Sequence, residues 1–285
     1  MKVTTPTPRA VRSEVLYQQV ARNIRNKVHA GVLRDGEVLA TTRDLAAEWG
    51  VSVFTITEAM KQLAQEGLIV SKARSKRVVH DPDPDRRGRV QPERPHVLLV
   101  GGYAGSGKTE LGRVVARLTG WPIIDNDTIT RPVVEVALEA LGRSPHDRES
   151  DDYLRSIRPR EYEALISTAV ENVECGVSVI VTAPFVNEFR DPAWIDRLLA
   201  AFTASDVVVT FVWLRCDADT MHTYIRQRGA ARDAAKLADW PGWVAGVDLA
   251  FTPLARHVIL DNSASSAPLQ PQAQALVHQV LKQTT

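Results

Sequence analysis

One stretch of the 285-residue chain has residue types and spacing that point directly to phosphate chemistry. Residues 96–118 read HVLLVGGYAGSGKTELGRVVARL, and Gly102 to Thr109 within them spell G-x-x-x-x-G-K-T. A continuous apolar run, Val97 to Val100, precedes the motif and an amphipathic helical pattern follows it. Gly102, Gly105 and Gly107 let the backbone wrap a polyphosphate. Successive amides, Ser106 among them, point inward at a helix N-terminus, where the dipole favours negative charge. Lys108 is then placed to bridge the outer phosphates and Thr109 to hold Mg2+. The alternative is a degenerate loop that has lost its ligand.

Other candidates for chemistry follow the motif. Asp125 and Asp127 stand two residues apart at the end of the strand-like run PIID, beside the crevice where parallel sheets bind ligands. Asp-x-Asp-Thr is equally good helix-capping chemistry, so both readings stay open. In DDYLRSIRPREY, Arg155, Arg158 and Arg160 either clamp an acceptor phosphate or a second nucleotide, or form a salt-bridged surface. Trp240 and Trp243 flank a Pro-Gly and pack either a lid or a core edge, with core packing favoured.

These residues need a scaffold, and the sequence supplies one. The runs PIID, SVIVTAPF, VVVTFVWL and HVILD alternate with helical segments such as EYEALISTAVENV and ADTMHTYIRQRG, which predicts a doubly wound parallel sheet. Ahead of it lies a different pattern. Leu16, Val20, Ile24 and Val28 place an apolar stripe on a helix ending near Gly31. A short helix in TTRDLAAEWG, capped by Thr42 or Thr41, reaches a left-handed turn at Gly50. Ser52 then caps a helix carrying Ile56, Ala59, Met60 and Leu63. Helix, tight glycine turn and helix make a helix-turn-helix. Two β-prone runs around the cations Lys72, Arg74, Lys76 and Arg77 read as a basic wing.

Between these regions HDPDPDRRGRVQPERP has no apolar period and reads as an exposed connector. The expected domains are therefore 1–80, a linker at 81–95, and 96–285. Charge divides at the same place: residues 1–94 hold 17 Lys+Arg against 11 Asp+Glu, and the remainder 18 against 23. A basic first part suits a polyanion, and an acidic second part does not. The wing cations supply salt-dependent phosphate attraction, and Arg74 or Arg77 can enter a minor groove. Two cysteines and seven scattered histidines give neither a disulfide framework nor zinc-ligand spacing. With no long apolar run and no apolar signal core at the start, the expectation is a cytoplasmic protein without a membrane partner.

Over most of residues 17–70 the first region resembles the winged-helix DNA-binding domain of the GntR family of bacterial transcription regulators. The likeness rests on YQQVARNIRNKVHAGVLRDGEVLATTRDLAAEWGVSVFTITEAMKQLAQEGLIV, with its Thr-Arg-Asp-Leu-Ala segment and Gly-Val-Ser turn. The resemblance implies that Arg43 and Ser52 contact DNA phosphates and that Thr55 faces the groove. Where the family usually has arginines, near positions 53 and 57, this chain has Val53 and Thr57, which leaves base reading to Thr57 and Lys61. A helix-turn-helix that only docks protein is the competing reading.

Residues 96–262 resemble the small P-loop kinases of the gluconate, shikimate and zeta-toxin-like group, AAA-type nucleotide-binding proteins. The match rests on GGYAGSGKT, IIDNDTITRP and LRCDADTMHTYIRQRGAARDAAKL. It implies that Asp125 holds magnesium with Thr109, and that Asp127 is the candidate base. It further implies that Arg226, Arg228 and Arg232 are lid arginines over the phosphates; a solvated helix face is the alternative. If the domain is an active kinase, the resemblance makes Asp127, Lys108 and Arg228 catalytic. Related proteins often place a magnesium-orienting acid where this chain has Thr182, Ala183 and Pro184.

The expected fold class is α/β: an N-terminal winged helix-turn-helix domain followed by a doubly wound parallel-sheet P-loop kinase domain. The expected function is DNA-binding transcription regulation, with ATP or ADP and Mg2+ as effector bound by the second domain. The enzymatic alternative is a small-molecule kinase, or weak ATPase, that carries a DNA-binding domain. Expected partners are an operator duplex, a purine nucleotide, and further copies of the chain in a homodimer or higher oligomer.

Overall fold

The computed structural model describes residues 16–72, 76–80, 92, 94–203 and 206–282. Arg74 and most of the expected connector lie outside the described residues. No helix among the described residues is long and apolar enough to cross a membrane.

The first region is a helix-turn-helix with a wing. Helix α1 (Leu16–His29), α2 (Thr42–Trp49) and α3 (Val53–Gln65) are followed by strands β1 (Ile69–Lys72) and β2 (Lys76–Val79). Of the two expected caps for α2, Thr41 is the one used: its side chain accepts from Asp44 N–H. Ser52 caps α3 by accepting from Thr55 N–H, and Gly50 between the helices is left-handed at φ 62°. β1 and β2 pair antiparallel, and Val38 bridges to Val78 along the outer edge. Val20, Ile24, Ile56, Met60, Leu63 and Val79 fill the small core, as their helical spacing requires.

The second region is a five-stranded parallel sheet. In chain order its elements are β3 (His96–Gly101), α4 (Lys108–Thr119), β4 (Ile123–Asp125), α5 (Asn126–Ala140), α6 (Arg158–Glu174), β5 (Val179–Thr182) and α7 (Pro192–Phe202). They continue as β6 (Val208–Arg215), α8 (Ala218–Arg228), the short α9 (Ala234–Ala238) and α10 (Trp240–Ala245), β7 (His257–Asp261) and α11 (Leu269–Lys282). The strand order is β4-β5-β3-β6-β7. Alternate residues of the central strand β3 serve two cores. Val97 and Leu99 join Phe185, Phe189 and Trp213 on one face, while Leu98 and Val100 join α4 and α11 on the other. This double burial explains why β3 reads as an unbroken apolar run.

Just ahead of β3, Pro95 O accepts from Val208 N–H at 2.9 Å, and Arg94 pairs with Asp206. α11 takes Pro271 in its first turn because N–H groups there need no helical partner.

The two regions are docked. α1 packs on α4 and α11, and Ala30, just past its end, is buried with Leu98, Trp121 and Leu276 in the second region's core. Arg22 donates to the carbonyls of Ala264 and Ser266 at 2.7 and 2.5 Å, and Arg117 of α4 donates to Val28 O at 2.9 Å. Arg117 is thus a cation at the C-terminus of α1, where the dipole favours it. Trp240 and Trp243 lie in neither core; Trp240 stacks on His222 of α8 at 4.6 Å and on Trp243 at 4.9 Å.

Those placements separate the tryptophans. Trp213→Ala, at a side chain 1% exposed, should cost ~3–5 kcal/mol in urea unfolding followed by circular dichroism. Trp240→Ala should cost no more than ~2 kcal/mol.

Candidate functional site

The loop between β3 and α4 forms a glycine cradle. Gly105 and Gly107 adopt φ values of 79° and 95°, and a Cβ on Gly105 would lie 2.7 Å from Met221 O. Only glycine fits there, because backbone conformation and space both exclude a side chain. Gly107 leads into α4 with no side-chain cap, leaving the first amides of that helix for a ligand. The Ser106 hydroxyl is buried and has no hydrogen-bond partner among the described residues. Asn262, just past β7, donates to Ser106 O at 3.0 Å and holds the cradle from the far side.

Lys108 opens α4 and donates to Tyr103 O at 2.8 Å. Burial, reinforced by the nearby Arg228 guanidinium, pulls its ammonium down from 10.5 to about 8, against the partial support of Asp127, Asp125 and Glu110. A buried cation held this weakly favours an incoming anion, because phosphate restores the charge balance that desolvation disturbs.

Asp125 joins three elements. Sheet register sets Asp125 beside Thr182, which in turn stands beside Val100 at the entry to the cradle. Asp125 Oδ2 accepts from Thr109 Oγ1 at 2.9 Å and from Thr182 Oγ1 at 2.6 Å, while Oδ1 caps α5 by accepting from Thr128 N–H at 3.1 Å. One oxygen of Asp125 thus caps a helix and the other ties to the phosphate loop. Thr182, noted for lacking an acid, supports an acid that comes from β4. Three oxygen-bearing side chains around one point match the hard-donor preference of Mg2+.

Asp127 is paired with only one of the three arginines expected over the phosphates. Arg232 donates to Asp127 at 2.6 Å, and Arg228 holds the buried Asp233 through Nε and Nη2 at 2.9 and 2.6 Å. Arg228 and Arg232 line the cavity, whereas Arg226 is exposed and does not. Of the three arginines between residues 155 and 160, only Arg158 enters it, gripping Glu188 at 2.5 and 2.9 Å; Arg155 and Arg160 make exposed pairs with Asp151 and Glu163.

Gly105, Gly107, Lys108, Thr109, Asp125, Asp127, Arg158, Arg228 and Arg232 border one cavity of about 430 Å³. Its lining also takes in Arg148 and Tyr153, Asn262, and Tyr224 and Gln227 of α8. Asn23, Asn26 and Lys27 of α1 also line it, and sequence reading gave them no role.

On the helix-turn-helix, Arg43, Ser52, Thr57, Lys61 and Lys76 are exposed, and Thr55 is half-buried beneath Ser52. Thr57 Oγ1 donates to Val53 O at 2.9 Å, and Arg77 donates to Thr42 Oγ1 at 2.6 Å. Val53 and Phe54 are 49% and 73% exposed at the start of α3, where a major-groove helix meets base edges. Phe54 was missed in the sequence because a lone aromatic in a helical pattern reads as core.

The family model for "AAA domain" matches residues 97–246, more than half of the chain. The chain belongs to this AAA-domain family. The model for "Bacterial regulatory proteins, gntR family" matches residues 16–79, so the family domain is fused behind a gntR-type head. A shikimate kinase from Moorella thermoacetica is 33% identical over 92 residues, 30% of this chain and 51% of that protein. The HTH-type transcriptional regulator SmoD from Agrobacterium fabrum is 41% identical over 54 residues, 19% of this chain and 23% of that one. The chain thus spans about half of one curated relative and under a quarter of the other. A gluconokinase structure from Sinorhizobium meliloti covers 66% of this chain and 95% of its own at 16% identity, with a TM-score of 0.44.

In the AAA domain the lysine of the phosphate loop can be watched directly. With 13C-labelled lysine, one resonance should titrate near 8 and vanish in Lys108→Met. The unfolded chain keeps this proton up to about 10.5, so the group's contribution makes stability rise with pH between about 8 and 10.5. A Lys108 signal titrating with the ordinary lysines would contradict the burial argument.

Proposed function

We propose that the chain is a transcription regulator whose kinase-like domain binds a magnesium purine nucleotide, ATP or ADP, as an effector of DNA binding. In this reading residues 1–80 are the DNA-binding head, 81–95 the linker and 96–285 the nucleotide domain. The observation that carries it is the docking of α1 on α4 and α11, through Arg22 and Arg117. A change around the P-loop is mechanically connected to the head that would sit on DNA.

The amides of Gly102, Gly105, Ser106 and Gly107, with Lys108, would hold the phosphates. Thr109 and Asp125 would hold Mg2+, which neutralises phosphate charge when bound. Arg228 and Arg232 are placed to exchange their carboxylate partners for phosphate oxygens, which makes the lid a two-state element. A ligand shifts such an equilibrium only by its difference in affinity for the two states, and ~1–3 kcal/mol is ordinary coupling.

On the DNA side, Arg43, Ser52, Lys72, Lys76 and Arg77 would engage phosphates, with Thr55 at the groove. Thr57, Lys61 and the exposed Phe54 would meet base edges. An apolar ring there suits a thymine methyl rather than guanine. Two copies of the head would read half-sites about one turn apart, so lid closure that reset their spacing would change affinity.

A second reading, phosphoryl transfer from ATP to a small acceptor hydroxyl, is favoured by Arg148, Tyr153 and Arg158 in the cavity lining. Asp127 would take the hydroxyl proton once released from Arg232. ADP production that depends on an added metabolite and is lost in Asp127→Ala would establish this reading.

The regulator reading is tested with duplexes selected by the protein from a random pool. Affinity should differ severalfold with and without MgATP or MgADP, and Lys108→Ala should abolish the difference while leaving nucleotide-free DNA binding intact. Equal affinities in wild type would reject it. Phe54→Ala should weaken a selected site roughly tenfold, as for the loss of ~1–3 kcal/mol of base discrimination, without altering the salt slope. Lys76→Ala should instead lower the slope by about one.

A further inference from the structure

Helix α1 has two working faces. Ala21, Ile24 and Val28 enter the core of the winged-helix head, while Asn23, Asn26 and Lys27, spaced three and four residues apart, share a second face. That second face lines the cavity containing the phosphate cradle. Its position is fixed at both ends, by Arg22 on the carbonyls after β7 and by Arg117 on the last turn of α1.

Asn26 is 4% exposed, and its Oδ1 has no hydrogen-bond partner among the described residues; Asn23 Oδ1 is buried in the same state. Three further amides border the same cavity with unpartnered oxygens, Asn126 Oδ1 at the start of α5, Gln227 Oε1 on α8 and Asn262 Oδ1 after β7. Buried carboxamides are normally satisfied, so five such groups around one cavity mark a site that a ligand completes. Their chemistry says which part of the ligand. Phosphate is met by backbone amides and Lys108, whereas neutral carboxamides, which donate and accept at once, match the mixed edge of a purine or the hydroxyls of a ribose.

We propose that Asn23 and Asn26 of the winged-helix head are ligands of the nucleotide's base and ribose, so that the nucleotide itself bridges head and kinase-like domain. This rests on the reading above that the P-loop holds a nucleotide. It adds that the effector touches the head directly, without relay through the sheet.

The test uses calorimetry on the full chain with two probes: MgATP, and magnesium tripolyphosphate, which has phosphates but no base or ribose. Wild type should bind both. Asn23→Ala and Asn26→Ala should weaken MgATP about tenfold each, the loss of a ligand hydrogen bond, and leave tripolyphosphate unchanged. Asn26→Asp, nearly the same shape, carries the test should the alanine variant fail to fold. Hydrogen exchange should show α1 protected by MgATP and unaffected by tripolyphosphate. Equal MgATP binding in wild type and variants would overturn the bridge and leave the P-loop reading standing. Parallel weakening of both probes would also overturn it, as a structural effect. Wild type that binds neither probe would instead sink the underlying nucleotide reading.

Discussion

The carboxylate of Asp125 is the fixed point of the kinase-like domain. One oxygen starts α5, and the other ties Thr109 of the phosphate loop to Thr182 of the neighbouring strand. A helix, a strand end and a loop thus meet at a single side chain, in a partly buried setting where an unmatched carboxylate would be costly. The parallel register makes this possible, because it brings the C-terminal ends of β3, β5 and β4 into one line. Arg228 and Arg232, which line the same cavity, are each engaged with a carboxylate.

Around that point the molecule shares parts between its two halves. α1 belongs to the head by its apolar stripe and to the kinase-like domain by Arg22 and the buried Ala30 that follows it. The arrangement differs from beads on a string, in which a connector alone sets the distance between functions. Here the orientation of the head is defined by hydrogen bonds to carbonyls and by a side chain embedded in the other core. Loss of either contact would loosen orientation before it unfolded either half.

Much of this was legible in the residues. The helical period of Leu16, Val20, Ile24 and Val28, the Ser52 cap and the Gly50 turn gave the head, because local periodicity and capping are written in neighbouring positions. The apolar runs gave four of the five sheet strands and the fifth came with the P-loop. What stayed hidden depends on pairs far apart in the chain. Asp127 finds Arg232, Arg117 finds Val28, and Asn262 finds Ser106 only after the sheet is assembled. The polar face of α1 reads as solvent-facing, since nothing in its own sequence reveals that a second domain covers it. Of the roles Asp125 left open, the fold shows the helix cap.

The burial of Ala30 also bears on how such fusions arise and change. A head whose first helix lacked the arginine or the small residue that seat this one would leave the seam unmade. Simple shuffling of modules would then produce a chain whose halves ignore each other. An inherited change on one side of the shared seam would then need a matching one on the other to keep the two halves seated.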